Sequence, residues 1–547
     1  MKENLKTQVP SSKQNSKFRF QISLVTWYRR GSYSRRGGCA DTVSPMTISS
    51  RFRPVFAMLL CFVALVASAP RAEAAIVLPK VFSDHMVLQR DIEAPVWGTA
   101  TAGEKVTVEF AGKKVEATAD DAGAWSAKLP PLKIGNATSL KISGDKTAEP
   151  VVFEDVLVGD VWVCSGQSNM QWSVKQSADA EAEIAKAKHP NIRFLQVPRR
   201  SSTQPNKELD AEVKWQVCTP ESAAGFSAVG YFFGREISQK QEVPIGLIQN
   251  AWGGMPVESF MSEESIKAEP AFHVLLEKRA AAATQEIKGP SGKPRPTNAP
   301  QWASNIYNRM VYPLLPYAIK GTIWYQGESN AGRAEQYRTL FPAMIRDWRA
   351  QWKQGDFPFV FVQLANFANR KEKPTGPADS SWAELREAQT LALAAVPNAG
   401  MAVTIDIGES ADIHPKNKQD VGKRLALAAQ KVAYGKDDIV FSGPMYREMQ
   451  IDGDKVRIKF DHGKGLKTKG GGAVKGFSIA GEDQKFVWAE AKIDGENVVV
   501  WSDQVKKPAA VRYGWADDPE VGLYNGADLP ASPFRTDDWP MSTAGKR

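Results

Sequence analysis

Histidine is nearly absent from this chain, with five residues in 547, and cysteine is scarcer still, with four. No cysteine pair stands at the short spacing of a zinc site. The apolar run Val55–Ala67 has 13 residues, short of the ~20 that a membrane-spanning helix needs. The chain has no clear internal repeat, which argues against solenoid and propeller architectures.

An excess of charge is missing too, once the first 74 residues are set apart. Met1–Pro45 is polar, basic and without periodicity. Arg51 and Arg53 then precede Val55–Ala67, and Ala72-Glu73-Ala74 precedes Ala75. A positive region, a short apolar run and an A-x-A site make a secretory signal. The pattern predicts cleavage before Ala75 and an exported protein, periplasmic or extracellular. It also predicts a true start at Met46, because a signal normally begins close to its basic residues. A membrane anchor is the alternative that the run's length disfavours, and no cysteine at the cleavage point supports a lipid anchor. The leader carries 12 of the 70 basic residues and 3 of the 61 acidic ones, so 58 of each remain. The formal +9 is thus a property of the leader. It gives no support for a nucleic-acid or membrane-surface partner.

Cys39 and Cys61 leave with that leader. Cys164 and Cys218 remain, and two cysteines in an exported protein allow one disulfide. Their apolar, strand-like surroundings equally suit two buried thiols, and sequence does not show proximity.

What is present is a large ordered chain, 43% hydrophobic, long enough for two to four domains. Residues 75–155 read as all-β. In Lys105–Phe110, apolar Val106, Val108 and Phe110 alternate with polar neighbours, the period of a strand with one buried face. A small β-sandwich is expected. From 156 to 437 the rhythm becomes strand, loop, helix. Strands are predicted at Val161–Cys164, Ile245–Ile248, Gly321–Tyr325, Phe359–Leu364 and Met401–Ile405. Helices are predicted at Phe226–Lys240, Ala334–Trp352, Trp382–Ala395 and Gln419–Val432. This predicts an α/β domain with a largely parallel sheet and helices on both faces. Residues 280–301 read as a flexible surface insertion. Beyond 438, short strands between Gly, Asp and Lys turns predict a second β-sandwich.

Four polar clusters follow strands of the α/β region, where sites form in parallel sheets. They are Gly166-Gln167-Ser168-Asn169-Met170, Trp252-Gly253-Gly254, Gln326–Asn330 and Asp412-Ile413-His414-Pro415. Ser168, on a sharp turn after an apolar run, is the candidate nucleophile. Of the five histidines only His414 sits just past a strand end of this region. Asp412 can fold back to orient its imidazole, leaving the other nitrogen as a base. Met170 stands where G-x-S-x-G needs its second glycine, which disfavours an ordinary α/β-hydrolase elbow.

The blocks VWVCSGQSNMQW, GLIQNAWGGMPVESFMS, GTIWYQGESNA and DIGESADIHPKNKQDVGKRLA, with the tail VRYGWADDPEVGLYNGADLPASPFRTDDW, resemble the SGNH-type esterases, and within them the sialate O-acetylesterase group. The resemblance runs from about 76 to 540. It implies a flavodoxin-like, three-layer SGNH-hydrolase core flanked by the two β-sandwich regions. It implies a serine hydrolase that removes O-acetyl groups from sugars, with sialate esters as substrate and no cofactor or metal. Ser168 matches the nucleophile, His414 the base and Asp412 its orienting carboxylate. The oxyanion donors implied are the Ser168 amide, a glycine amide of Gly253 or Gly254, and a side-chain amide. That last is Gln326 or Asn330, since this block departs from the common G-x-N-D. Glu328 and Glu258 are expected to hold the loops, although either could touch a sugar. Trp172, Trp252, Trp324 and Tyr325 are candidates for sugar stacking, with core packing expected for at least two. An acetylxylan or other polysaccharide acetylesterase is the alternative. A non-catalytic carbohydrate-binding surface protein is the alternative of another class.

Overall fold

A computed structural model describes residues 75–209, 213–284, 296–368 and 377–547. The expected leader, its expected signal and Met46, and the centre of the insertion expected at 280–301, lie outside the described residues. The described residues fall within one compact unit.

The central sheet has strands β1 (Val151–Gly166), β2 (His189–Gln196), β3 (Gln216–Cys218), β4 (Ile245–Ala251), β5 (Gly321–Tyr325), β6 (Phe359–Val362) and β7 (Ala399–Ala402). Their order across the sheet is β7-β6-β5-β1-β4-β2-β3. Every pairing is parallel except β2 with the edge strand β3. From β1 the chain builds outward on one side through β2 and β4, then crosses to add β5, β6 and β7 on the other. The reversal at β1 opens a crevice at the carboxyl ends of β1, β4 and β5, where ligands bind in such sheets. Residues 156–166 of β1 and all of β4 are buried, which explains their mostly apolar composition; the polar exceptions are Asp160, Ser165, Gln249 and Asn250.

The main helices are α1 (Ser168–Gln171), α2 (Ala228–Gln241), α3 (Ala334–Trp352), α4 (Ser381–Ala395) and α5 (Lys418–Tyr434). Side chains of Ser227, Ser380 and Asn417 cap α2, α4 and α5 by accepting amides of their first turns, and Gly435 at φ +64° ends α5. α2 packs on α5, and α3 on α4, giving the outer layers.

Two expectations need correcting in detail. The strand at Met401–Ile405 is paired only to Ala402, and Val403–Ile405 run on as buried, unpaired chain. The strand at Val161–Cys164 is part of a 16-residue element. Its first half pairs antiparallel with Thr138–Gly144 in the N-terminal β region, and its second half pairs with β4 and β5. One strand therefore belongs to both regions, and Val106, Val108 and Leu140 share a core with Val161 and Trp162.

At the C-terminal end two four-stranded sheets enclose a second core built on Val456, Ile458, Phe477, Val498 and Tyr513. Cys164 and Cys218 are buried free thiols. Burial pushes both thiols up, Cys218 to about 12, so neither is a nucleophile at neutral pH. No described helix is long and apolar enough to cross a membrane.

Candidate active site

The site begins with one glycine. Gly166, last residue of β1, has φ +132°. A Cβ there would lie 2.1 Å from the carbonyl oxygen of Tyr325 at the end of β5. Only glycine lets the two strand ends come this close and turn apart. The Gln167 amide donates to that same Tyr325 oxygen at 2.9 Å. The Gln167 side-chain oxygen accepts from the amides of Gly327 and Ser329 at 3.4 and 3.3 Å. The first and third polar clusters are thus fastened to each other. Ser168 then opens α1, in which the Met170 and Gln171 amides donate to the Gln167 carbonyl, whereas the leading amides of a helix have no such acceptor and carry partial positive charge.

Ser168, Trp172, Arg199, Trp252, Gly253 and His414 line one cavity of about 320 Å³, with Gln171 and Gln176. Gly253 stands close against Ser168: a Cβ on it would lie 3.1 Å from Ser168 Cβ. Its amide donates to the Gln171 side-chain oxygen at 2.8 Å, so this N–H is already directed at an oxygen beside Ser168. Gly254 follows at φ +75°.

His414 lies flat against Trp172, with ring centroids 4.6 Å apart and planes within 13°. Asp412 Oδ1 accepts the backbone amide of His414 at 2.9 Å and lies 3.8 Å from the imidazole Nδ1. The carboxylate therefore shapes the turn and faces the ring at ion-pair range, beyond hydrogen-bond length. Burial and the positive charge of Lys418 lower the His414 pKa below the ordinary histidine value, against the pull of Asp412. The imidazole is accordingly neutral, and competent as a base, at neutral pH. The other histidines sit elsewhere, His85 against Asp155 at 2.7 Å and His273 on the Lys267 carbonyl at 2.9 Å.

The third cluster does not reach the cavity wall with its amides. Gln326 is fully buried. Its nitrogen donates to Asn330 Oδ1 at 2.6 Å and its oxygen accepts from Tyr337 at 2.9 Å. Asn330 Nδ2 donates to Glu258 at 3.0 Å, and its Oδ1 also accepts the Val257 amide. Glu258 is further paired with Arg333 at 2.6 Å. This network holds the second and third loops together. Of the four aromatics, Trp172 and Trp252 face the cavity, whereas Trp324 and Tyr325 are fully buried in the core.

Sequence reasoning missed Lys418. It reads as one cation in the polar run Lys416-Asn417-Lys418-Gln419, yet it has no exposed surface. Its ammonium donates to Asn169, next to Ser168, at 2.6 Å.

A second cleft of about 520 Å³ shares Gln171, Gln176 and Arg199 with the first cavity. Its described lining holds five glutamines with Arg199 and Lys214, and no carboxylate. Amides of this kind suit sugar hydroxyls, and the cations suit a negative group.

The family model of the carbohydrate esterase, sialic acid-specific acetylesterase domain matches residues 158–290 and 296–431, the span that carries all four clusters. Sialate O-acetylesterase of Homo sapiens is 31% identical over 492 residues, covering 83% of this chain and 91% of that protein. The Rattus norvegicus protein of the same name is 30% identical over 536 residues, covering 88% and 98%. Among solved structures, a carbohydrate acetylesterase from Xanthomonas citri superposes with TM-score 0.76 at 42% identity, covering 85% of this chain and all of that one. The chain belongs to the sialic acid-specific acetylesterase family of carbohydrate esterases, carboxylic ester hydrolases that remove O-acetyl groups from sugars.

Proposed function

We propose that this protein is an exported enzyme that deacetylates O-acetylated sialic acids through an acyl-enzyme on Ser168. The observation that carries this reading is the meeting of Ser168, Gly253 and His414 on one cavity, from three separate stretches of chain. His414 takes the Ser168 hydroxyl proton as Oγ attacks the acetyl carbonyl. The Ser168 and Gly253 amides receive the oxyanion, the latter by exchanging Gln171 for the substrate oxygen. The carbonyl–sugar oxygen bond breaks, and His414 returns its proton to the departing sugar hydroxyl. Water, deprotonated by His414, then releases acetate and restores the serine. Asp412 stabilises the imidazolium at 3.8 Å.

Arg199 and Lys214, in a described lining without acids, support an acidic sugar as substrate. The Xanthomonas citri neighbour, described only as acting on carbohydrates, keeps neutral acetylated polysaccharide as the second reading. Acetate release from O-acetylated sialic acid and from acetylated xylan, with wild type and Ser168→Ala, separates these. Ser168→Ala is expected to be inactive on every ester while its thermal unfolding stays that of wild type. Retained activity sinks the nucleophile assignment, and a preference for xylan replaces sialate with neutral glycan.

A further inference from the structure

Behind the catalytic turn lies a buried group of polar side chains that the reaction as described does not use. Asn169 follows the nucleophile directly. Its nitrogen donates to Glu328 Oε1 at 2.6 Å and to the carbonyl of Ile413, the residue before His414, at 3.0 Å. Its oxygen accepts from Lys418 Nζ at 2.6 Å. Lys418 also lies over the Tyr325 ring at 5.4 Å, beneath the β5 end that Gly166 approaches. One asparagine thus touches the third loop, the base loop and the first turn of α5.

Such an arrangement is costly to keep. Burial drags the Lys418 ammonium down to about 7, although Glu328, Asp412 and Glu409 favour its charge. Burial raises the Glu328 carboxyl as well, and Glu328 Oε2 is shielded from solvent without a hydrogen-bond partner. Replacing a buried, bridged charge pair by apolar groups is often neutral or stabilising. Stability alone is therefore a weak reason for this one.

We propose that Lys418 and Glu328, joined through Asn169, are positioning residues that hold the His414 loop against the Ser168 turn, and that the Lys418 ammonium opposes charge on the imidazole. This rests on the reading of Ser168 as nucleophile and His414 as base. The Asn169 amide can reach both Glu328 and Ile413 only in one orientation, and Lys418 enforces it, because an ammonium donates and never accepts. The Ile413 carbonyl is fixed in turn, and with it the start of the His414 backbone. The charges that act on the imidazole are those of Lys418 and of Asp412 on its own turn, with Arg199 on the same cavity wall, and Lys418 in turn feels Glu328, Asp412 and Glu409. Removing the ammonium makes imidazolium easier to form, so the acid limb of the rate profile moves to higher pH.

The test uses the full chain with p-nitrophenyl acetate, reading kcat, KM and the pH profile of kcat/KM. Lys418→Met is expected to lower kcat on the order of 10²-fold, the cost of a small misplacement of reacting groups. KM should stay near wild type and the acid limb should move upward. Lys418→Arg keeps the charge but changes the donor's reach. It is expected to lower kcat while leaving the acid limb in place, and it serves where Lys418→Met does not fold. An unshifted limb in Lys418→Met, a shifted limb in Lys418→Arg, or an effect confined to KM overturns the proposal. His414→Ala is the control: if it keeps activity, the assignment of the base has failed, not that of Lys418.

Discussion

At the scale of single residues, Asp412 shows how far a motif and its geometry can differ. Asp-x-His at the end of the α/β region suggests a carboxylate hydrogen-bonded to imidazole. In the structure Asp412 spends its near oxygen on the His414 backbone amide, stands 3.8 Å from Nδ1, and has a side chain 43% exposed. An exposed charge at that range is screened by water. Asp412→Asn is therefore expected to lower kcat far less than the ~10⁴-fold seen when a buried, hydrogen-bonded triad aspartate is replaced. Steady-state kinetics on p-nitrophenyl acetate would decide it, and a loss of that full size would show that Asp412 swings onto the imidazole during reaction. Ser168 and His414 were legible because each is marked by contrast, the serine by an apolar run cut off at a polar turn and the histidine by the poverty of alternatives. Lys418 was not legible. A lysine among Lys, Asn and Gln has every mark of a solvated residue, and only the approach of α5 to the Ser168 turn removes it from water. Gln326 and Asn330 stayed unresolved for a related reason: sequence gives an amide its chemistry but not its direction, and both turn inward to each other.

At the scale of elements, the site depends on how closely two parallel strands end together. β1 and β5 pair up to Gly166 and Tyr325, and the next residue, Gln167, takes its bonds from the β5 side. Gly166→Ala would place a methyl carbon 2.1 Å from a backbone oxygen at a φ that side chains avoid. The expected result is a loss of at least about 1–3 kcal/mol of stability, read by urea unfolding, together with lost activity. Unchanged stability would mean that the strand ends separate easily. Element types and cores were readable from periodicity, and α3 was anticipated to the residue, since its apolar positions recur at helical spacing without interruption. Strand ends were less readable. Val403–Ile405 are as apolar as the paired residues before them, and apolarity reports burial, not pairing.

At the scale of the whole molecule, the composition shift near residue 155 suggested a border between a β-sandwich and the catalytic part. The backbone passes that point inside one strand, with side chains of both regions in a common core. A chain beginning at Val156 would lose the half of β1 that pairs with Thr138–Gly144 and would bare the core that Val106, Val108 and Leu140 cover. Such a truncation is expected to be insoluble or inactive, whereas the same cut between independent domains would leave an active esterase. Expression of both forms and assay on p-nitrophenyl acetate distinguishes them.

That continuous strand also sets the terms on which this enzyme can be rebuilt. Ser168 follows the far end of a rod whose near end is clamped by Thr138–Gly144, so a disturbance of the clamp is transmitted along covalent bonds to the serine. Exchanging the N-terminal β region for a homologous one is therefore a graft onto the active site itself, and the register at Thr138–Val156 must be kept to the residue for the transplant to work.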